Sequence, residues 1–172
     1  MNIKETFIKL TSKTYPYGSE VLLEDQLPKD IEKDIYGNYF IEIGSGSRSI
    51  FTSHLDTVCS KVEDVKHKFS DDGRFISTKS DTTLGADCKA GTTTMLYMIE
   101  NKVPGLYYFF IGEEVGCIGS GMAKADDKLT HTNYDRMISF DRRGTNSIIT
   151  HQSWTRCCSD EFTEKLSNEF GN

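Results

Sequence analysis

The sequence contains no apolar stretch long enough to cross a bilayer, so an integral membrane protein is not expected. Its first ten residues, MNIKETFIKL, lack the apolar core and small-residue cleavage site of a secretory signal. No CxxC pair occurs, and the five cysteines (Cys59, Cys88, Cys117, Cys157 and Cys158) are odd in number. Both facts argue against a closed disulfide scaffold and against a structural zinc knuckle. The adjacent Cys157 and Cys158 are read as reduced thiols, because disulfide geometry suits neighbours poorly. A cytoplasmic, reducing location is therefore expected. Positive charge is also scarce: 20 Lys and Arg stand against 26 Asp and Glu, a formal net charge of -6, which speaks against a nucleic-acid footprint. No Gly-x-Ser-x-Gly elbow is present, and Gly44-Ser45-Gly46-Ser47 has no P-loop lysine behind it. Repeats, low-complexity tracts and Pro-, Gly- or Ser-rich linkers are absent as well.

What remains is ordinary globular material. The 172 residues, 37% hydrophobic and 27% charged, suffice for one domain with a real core. Helical spacing of Ile3, Phe7, Ile8 and Leu10 predicts a helix over 2–12. After Tyr15-Pro16-Tyr17-Gly18, Ser19 is placed to cap a second helix running toward Glu32, with Val21, Leu22 and Leu27 inward. Strands are expected at 39–43, at 49–53 running directly into His54, and at 105–111, a continuous apolar run. A polar hairpin over 65–79 turns at Asp71-Asp72-Gly73, and 90–99 reads as a buried helix. A short helix near 120–125, strands at 137–140 and 147–150, and a last helix capped by Ser159 complete the pattern. Helices alternating with fully apolar strands predict an α/β fold, a three-layer αβα sandwich around a mostly parallel mixed sheet. In such folds ligands sit at the carboxyl ends of strands.

Acidic and histidine side chains gather at those ends. His54 and Asp56 are two apart on an extended chain and face the same way. A carboxylate accepting one imidazole N–H leaves the other ring nitrogen for a metal; taken alone, the pair reads more readily as a surface contact. Asp87 lies in a Gly85-Ala86-Asp87 turn ahead of the 90–99 helix, where it can project into a cleft or merely cap the helix. Its neighbour Cys88 is not read as a nucleophile, since no histidine is near in sequence to activate it. Glu113 and Glu114 directly follow a buried apolar strand, where paired carboxylates are costly unless a cation meets them. One can ligate while the other takes a proton from water. Asp141 again follows a strand, and means little by itself. Together the four segments form a mixed nitrogen and oxygen donor set suited to zinc.

The segments HLDTV, LGADCKAG, GEEVGCIGS and DRRG resemble those of the two-zinc exopeptidases that include peptidase T, acetylornithine deacetylase and bacterial leucyl aminopeptidases. The Asp34-Ile35-Tyr36-Gly37-Asn38 turn is similar to the DxxGN turn ahead of their first ligand strand, and the likeness spans roughly residues 1–145. The resemblance implies a hydrolase that cleaves an amide bond of a small peptide or an N-acyl amino acid with zinc-activated water. It implies two Zn2+ ions as cofactors, with one bound as an alternative. It further implies His54 and Asp141 on the first zinc, Asp87 bridging, Glu114 on the second, Glu113 as general base and Asp56 orienting His54. A cis peptide is implied at Asp87–Cys88. Arg142 and Arg143 are read either as receptors for a substrate carboxylate or as a solvated pair.

One ligand of that pattern is not placed. The family carries a further histidine on the second zinc, near the end of the catalytic domain. Of the remaining histidines, His67 falls in the hairpin and His131 in a polar loop; His151 is the one substitute considered. The expectation is a single exopeptidase-like catalytic domain over 1–172, without an inserted lid or dimerisation domain and lacking its last strands. Three readings stay open: an active metallo-exopeptidase or deacylase, an impaired metal-binding member, and a fragment of a longer active protein. No nucleic-acid or membrane partner is expected.

Overall fold

The computed structural model describes residues 1–170 apart from Ser80, 124–133, Arg143, Thr145 and Asn146. The chain forms two compact units, Met1–Asp141 and Arg142–Asn172. All four strand-end motifs except the tail of DRRG lie in the first.

In that unit the amino-terminal helix α1 (Ile3–Leu10) starts at Asn2, whose side chain accepts the Glu5 N–H, and buries Leu10. The next segment departs from expectation. Glu20–Gln26 is a 3-10 helix, not a longer α-helix toward Glu32, and Ser19 donates its hydroxyl to the Pro16 carbonyl instead of capping. Three residues per turn place Glu20 and Leu23 on one face. Those two are buried with Leu27, while Val21 and Leu22 are more than half exposed.

Strands β1 (Glu32–Lys33), β2 (Tyr39–Ile43), β3 (Ser49–His54), β6 (Gly105–Phe110) and β7 (Arg136–Ser139) form one sheet in the order β1-β2-β6-β3-β7. The β3–β6 and β3–β7 pairs are parallel, whereas β1–β2 and β2–β6 are antiparallel. The expected α/β fold with a mixed sheet is thus present. β4 (His67–Phe69) and β5 (Ile76–Thr78) make the separate hairpin expected around Asp71-Asp72-Gly73.

Alternation along the strands divides two cores. Tyr39, Phe51, Tyr107 and Phe109 pack with Leu10, Leu23, Leu55, Met95 and Leu96 on the face covered by α1 and the helix α2 (Ala86–Glu100). Phe40, Ile50, Leu106, Tyr108 and Phe110 face the other way, where Ala123 of the short helix α3 (Ile118–Ala123) meets them. All six residues of β6 are buried, as its unbroken apolar run requires of a central strand.

Helix α2 begins four residues before the expected start. Gly85 stands at φ 63°, ψ 39°, a left-handed conformation that turns the chain straight into the helix at Ala86. Asp87 therefore occupies the first helical turn, not a preceding loop. The helix lies hard against the β3 end: Ser53 Oγ donates to Cys88 O at 2.9 Å, and a Cβ on Gly91 would stand 2.1 Å from Phe140 O. Gly91→Ala is accordingly expected to lower stability by about 1–3 kcal/mol, because a backbone oxygen must move to admit the methyl group. Urea denaturation at fixed pH checks this.

The second unit contains a hairpin, β8 (His151–Gln152) with β9 (Thr155–Arg156), and the helix α4 (Asp160–Phe170). The strand expected at 147–150 is not formed. The extended pairing begins at His151 instead, because Ser153 and Trp154 both adopt positive φ, 48° and 64°, and make the tight reversal there. The last helix is capped as expected, with Ser159 Oγ accepting the Phe162 N–H at 3.1 Å. Among the described residues no helix is long and apolar enough to cross a membrane.

Candidate metal centre

Parallel strands β6, β3 and β7 end on one side of the sheet, and each delivers part of the constellation. β3 ends in His54, and its Leu55 N–H still reaches the Phe110 carbonyl of β6 at 2.9 Å. The loop after β6 carries Glu113 and Glu114. Beyond β7, the Phe140 N–H bonds Thr52 O at 2.9 Å and sets Asp141 beside His54. Asp87 comes from the opposite direction, in the first turn of α2, where the helix dipole favours a carboxylate.

Asp56 is the organiser. It is fully buried, and its Oδ1 lies 3.3 Å from His54 Nδ1. The same Oδ1 accepts the Glu113 N–H, and Oδ2 accepts the Glu114 N–H, each at 2.9 Å. One carboxylate thus fixes the imidazole and the backbone of the paired glutamates together. Burial pushes the Asp56 carboxyl up, but hydrogen bonds from His54, Glu113 and Glu114 outweigh it and hold the group below the usual range.

With Nδ1 engaged, His54 Nε2 points at acids: Asp141 Oδ1 at 3.5 Å and Glu113 Oε2 at 3.9 Å. Donor atoms of His54, Glu113 and Asp141 all lie within 4.8 Å of one another, and so do those of His54, Asp87 and Cys88. Burial raises the Glu114 carboxyl, and the charges of Asp87, Glu113 and Asp56 raise it further while His54 opposes them. Glu114 therefore stands in the field of Asp87, and this set of acids repels itself unless a cation is present.

The residues fit a divalent metal. Zinc bonds of about 2.0–2.2 Å need donors roughly 3.5 Å apart. The gap from His54 to Asp141 already has that size. The donor types, one imidazole and carboxylates, are those zinc accepts. Cys88 is a poorer candidate. Its buried thiol donates to Asp56 O at 3.2 Å and receives Lys89 Nζ at 3.2 Å, and desolvation pushes its pKa up.

Burial lowers the His54 pKa, yet hydrogen bonds to Asp141 and Asp56 raise it overall to about 11. A raised pKa means stabilisation that is fully present below the unfolded value near 6.5 and lost as pH rises through about 11. A metal needs the neutral ring, so binding at pH 7 is expected to release about one proton from His54, and affinity should climb with pH. Calorimetry in buffers of different ionisation enthalpy reads that number. No release would contradict a cationic His54.

Several supporting residues gave no sequence signal. Glu20, buried, accepts the Gly112 N–H at 3.1 Å, and Gly112 takes φ 61° with the Tyr17 ring where a Cβ would be. Lys89, buried, donates to Leu55 O at 2.5 Å. Asp34 and Asn38 were legible as a turn but not as a support. Asp34 accepts Asn38 N–H and Asn38 Nδ2, while Asn38 accepts Ile111 N–H at 3.1 Å and donates to Gly119 O at 3.0 Å. Glu20 and Asn38 thereby fasten both ends of the glutamate loop.

One expectation fails, and several residues fall elsewhere. The Asp87–Cys88 peptide is not cis, and no cis peptide occurs among the described residues; both residues lie inside the first turn of α2, whose regular hydrogen bonding takes trans units. His67 is committed to Thr11 Oγ1 at 2.8 Å in β4. His151 belongs to the second unit, where its Nδ1 lies 3.0 Å from Thr150 Oγ1. His131 and Arg143 lie outside the described residues, and Arg142 is in the second unit.

The sheet order, with acidic and histidine donors at its carboxyl edge, is the fold of the peptidase T-like exopeptidases. Two solved structures carry this likeness: a tripeptidase from Staphylococcus aureus, with 27% identity and a TM-score of 0.62, and aminopeptidase PepT from Bacillus cereus, with 27% and 0.60. Each match covers 83% of this chain and 43% of the other, so the chain spans less than half their length. The TET1 peptidase of Pyrococcus horikoshii, at 14% identity and a TM-score of 0.53 over 81% of this chain and 68% of its own, shares the fold. No family model matches the sequence, and no curated protein does.

Proposed function

We propose that this chain carries the metal centre of a metal-dependent hydrolase that cleaves an amide bond of a small peptide or N-acyl amino acid. The observation that carries the reading is the buried Asp56, which aims His54 Nε2 at Asp141 and presents Glu113 and Glu114 beside it. The likeness to a tripeptidase and an aminopeptidase supports the reaction class. Five cysteines without a disulfide fit a reducing cytoplasm.

In this reading His54 and Asp141 would hold a first zinc, Glu114 a second, and Asp87 would contribute to both. Bound zinc supplies Lewis acidity toward the scissile carbonyl and toward the attacking water. The protein's own groups do the rest. Glu113 accepts the water proton at Oε2 and returns it to the departing amine. Asp56 keeps Nδ1 of His54 occupied, so that Nε2 alone is offered to the metal. Glu20 and Asn38 hold the loop that sets the distance between Glu113 and His54.

The alternative is an impaired member with one metal. It is favoured because, among the described residues, Glu114 joins neither cluster of donor atoms, and His67, the other described histidine of the first unit, is committed to Thr11 Oγ1. Reconstitution with zinc, counting of metal per chain, and release of amino acid from di-, tripeptides and N-acetyl amino acids separate the two. Two metals with chelator-sensitive release support the active reading. At most one metal without turnover supports the impaired member, and no bound metal overturns both.

A further inference from the structure

Buried charge in the described part of this protein is gathered in one place. The charged side chains in the buried class are Glu20, Asp56 and Lys89, with His54 beside them, and three of the four already belong to the centre. Lys89 is the fourth, and it is neither a metal ligand nor a proton carrier of the centre. Its side chain is among the largest that are fully buried. Its Nζ donates to Leu55 O at 2.5 Å, to Thr57 Oγ1 at 3.4 Å and to Cys88 Sγ at 3.2 Å, and lies 5.3 Å from the Tyr15 ring centre. All of these partners are neutral, and no carboxylate pairs with Lys89 among the described residues. Taking an ammonium out of water without a counter-charge is expensive, so such groups concentrate where a site needs them.

The main partner says what that need is. Leu55 stands between His54 and Asp56, and its peptide is held from both sides: the N–H by Phe110 O at 2.9 Å, the carbonyl by Lys89. Flanking residues of an extended segment point away from the middle one, so pinning Leu55 fixes the directions of His54 and Asp56. Lys89 itself belongs to α2, two residues beyond Asp87. Its long side chain therefore bridges the element that bears Asp87 and the segment that bears His54 and Asp56.

We propose that Lys89 is a positioning residue of the metal centre: by holding the Leu55 carbonyl it locks the first turn of α2 onto the end of β3 and presets the donors His54 and Asp87. This rests on the metal-binding reading given above. It adds a residue that touches neither metal nor substrate yet sets how well the ion is held.

Cobalt titration of the metal-free full chain tests it, read as affinity by calorimetry and as the visible d–d spectrum. Three proteins are compared: the unaltered chain, Lys89→Met, and Met95→Ala, a core change on α2 that removes no hydrogen bond to residues 54–57. Lys89→Met is expected to weaken cobalt binding about 10–100-fold, the usual effect of removing a partner behind the ligands, and to alter the spectrum. Met95→Ala should lower the melting temperature while keeping both affinity and spectrum. Where Lys89→Met does not fold, Lys89→Gln, too short to reach Leu55 O, is expected to give the same loss. Unchanged binding in the folded Lys89 variant overturns the proposal, and so does an equal loss in Met95→Ala, which would make Lys89 merely structural. Absence of cobalt binding by the unaltered chain overturns the metal reading itself, and is seen before any variant is made.

Discussion

Glu113→Gln is expected to lower peptide turnover by about 10²–10⁴-fold, the size of a general-base contribution, with metal content unchanged. The substitution keeps the shape and the backbone N–H that Asp56 holds at 2.9 Å, and removes only the capacity to take a proton. Glu113 Oε2 stands 3.9 Å from His54 Nε2, so the carboxylate is beside the donors without displacing Asp141 at 3.5 Å. Its side chain is one-third exposed, which leaves it reachable by water and substrate. The companion Glu114→Gln should instead lose metal, because in the proposed reading Glu114 holds the second zinc. Metal counts and peptide release on both variants check the assignment. A metal ion lost from Glu113→Gln would exchange the two roles, since Glu113 also falls within ligand distance of His54 and Asp141.

Asp56→Ala should be the most damaging single change to the fold around the centre. It removes a fully buried carboxylate and strands three donors, His54 Nδ1 and the N–H groups of Glu113 and Glu114. Breaking a buried ionic group away from its partners costs about 3–5 kcal/mol, and urea denaturation at pH 7 should show a loss of that order. Metal binding should fall as well, since the imidazole and the glutamate loop lose their common anchor. The pH dependence has a definite sign. The Asp56 pKa is depressed on folding, so its stabilisation is present above the unfolded value near 4 and is lost as pH falls through the lower, folded value. The difference between the unaltered protein and Asp56→Ala should therefore be full at neutral pH and shrink only in strong acid. A difference that stayed constant down to acid pH would show that packing, not the carboxylate, is responsible.

Much of this was legible in one dimension, for reasons that differ between elements. The run Gly105–Phe110 had to be a central strand, because six consecutive apolar residues need cover on both faces, and β6 is buried throughout. His54 and Asp56 could be paired from their spacing, since alternate residues of an extended chain share a side. Glu113 and Glu114 declared themselves by cost, as adjacent acids at the end of a buried strand. Elsewhere local pattern misled. Val21 and Leu22 were assigned inward on a 3.6-residue period, whereas the 3-10 turn of three residues buries Glu20 and Leu23. The strand expected at 147–150 gave way to pairing from His151, where two residues with positive φ permit the reversal.

The sequence by itself determined the main sheet strands and the class of fold, which follow from periodicity. It also singled out the candidate donors, Glu113 and Glu114 by the cost of charge beside apolar chain, Asp87 and Asp141 only by resemblance. Only the tertiary structure decided what holds those donors in place. Lys89 reaches Leu55 across 34 residues, Asn38 reaches Ile111 across 73, and Glu20 reaches Gly112 across 92. In the linear sequence each is an ordinary polar residue. Its role comes from a backbone group left unpaired at a strand end, and which side chain meets that group is set by the packing of α2, the 3-10 helix and the Asp34–Asn38 turn against the sheet.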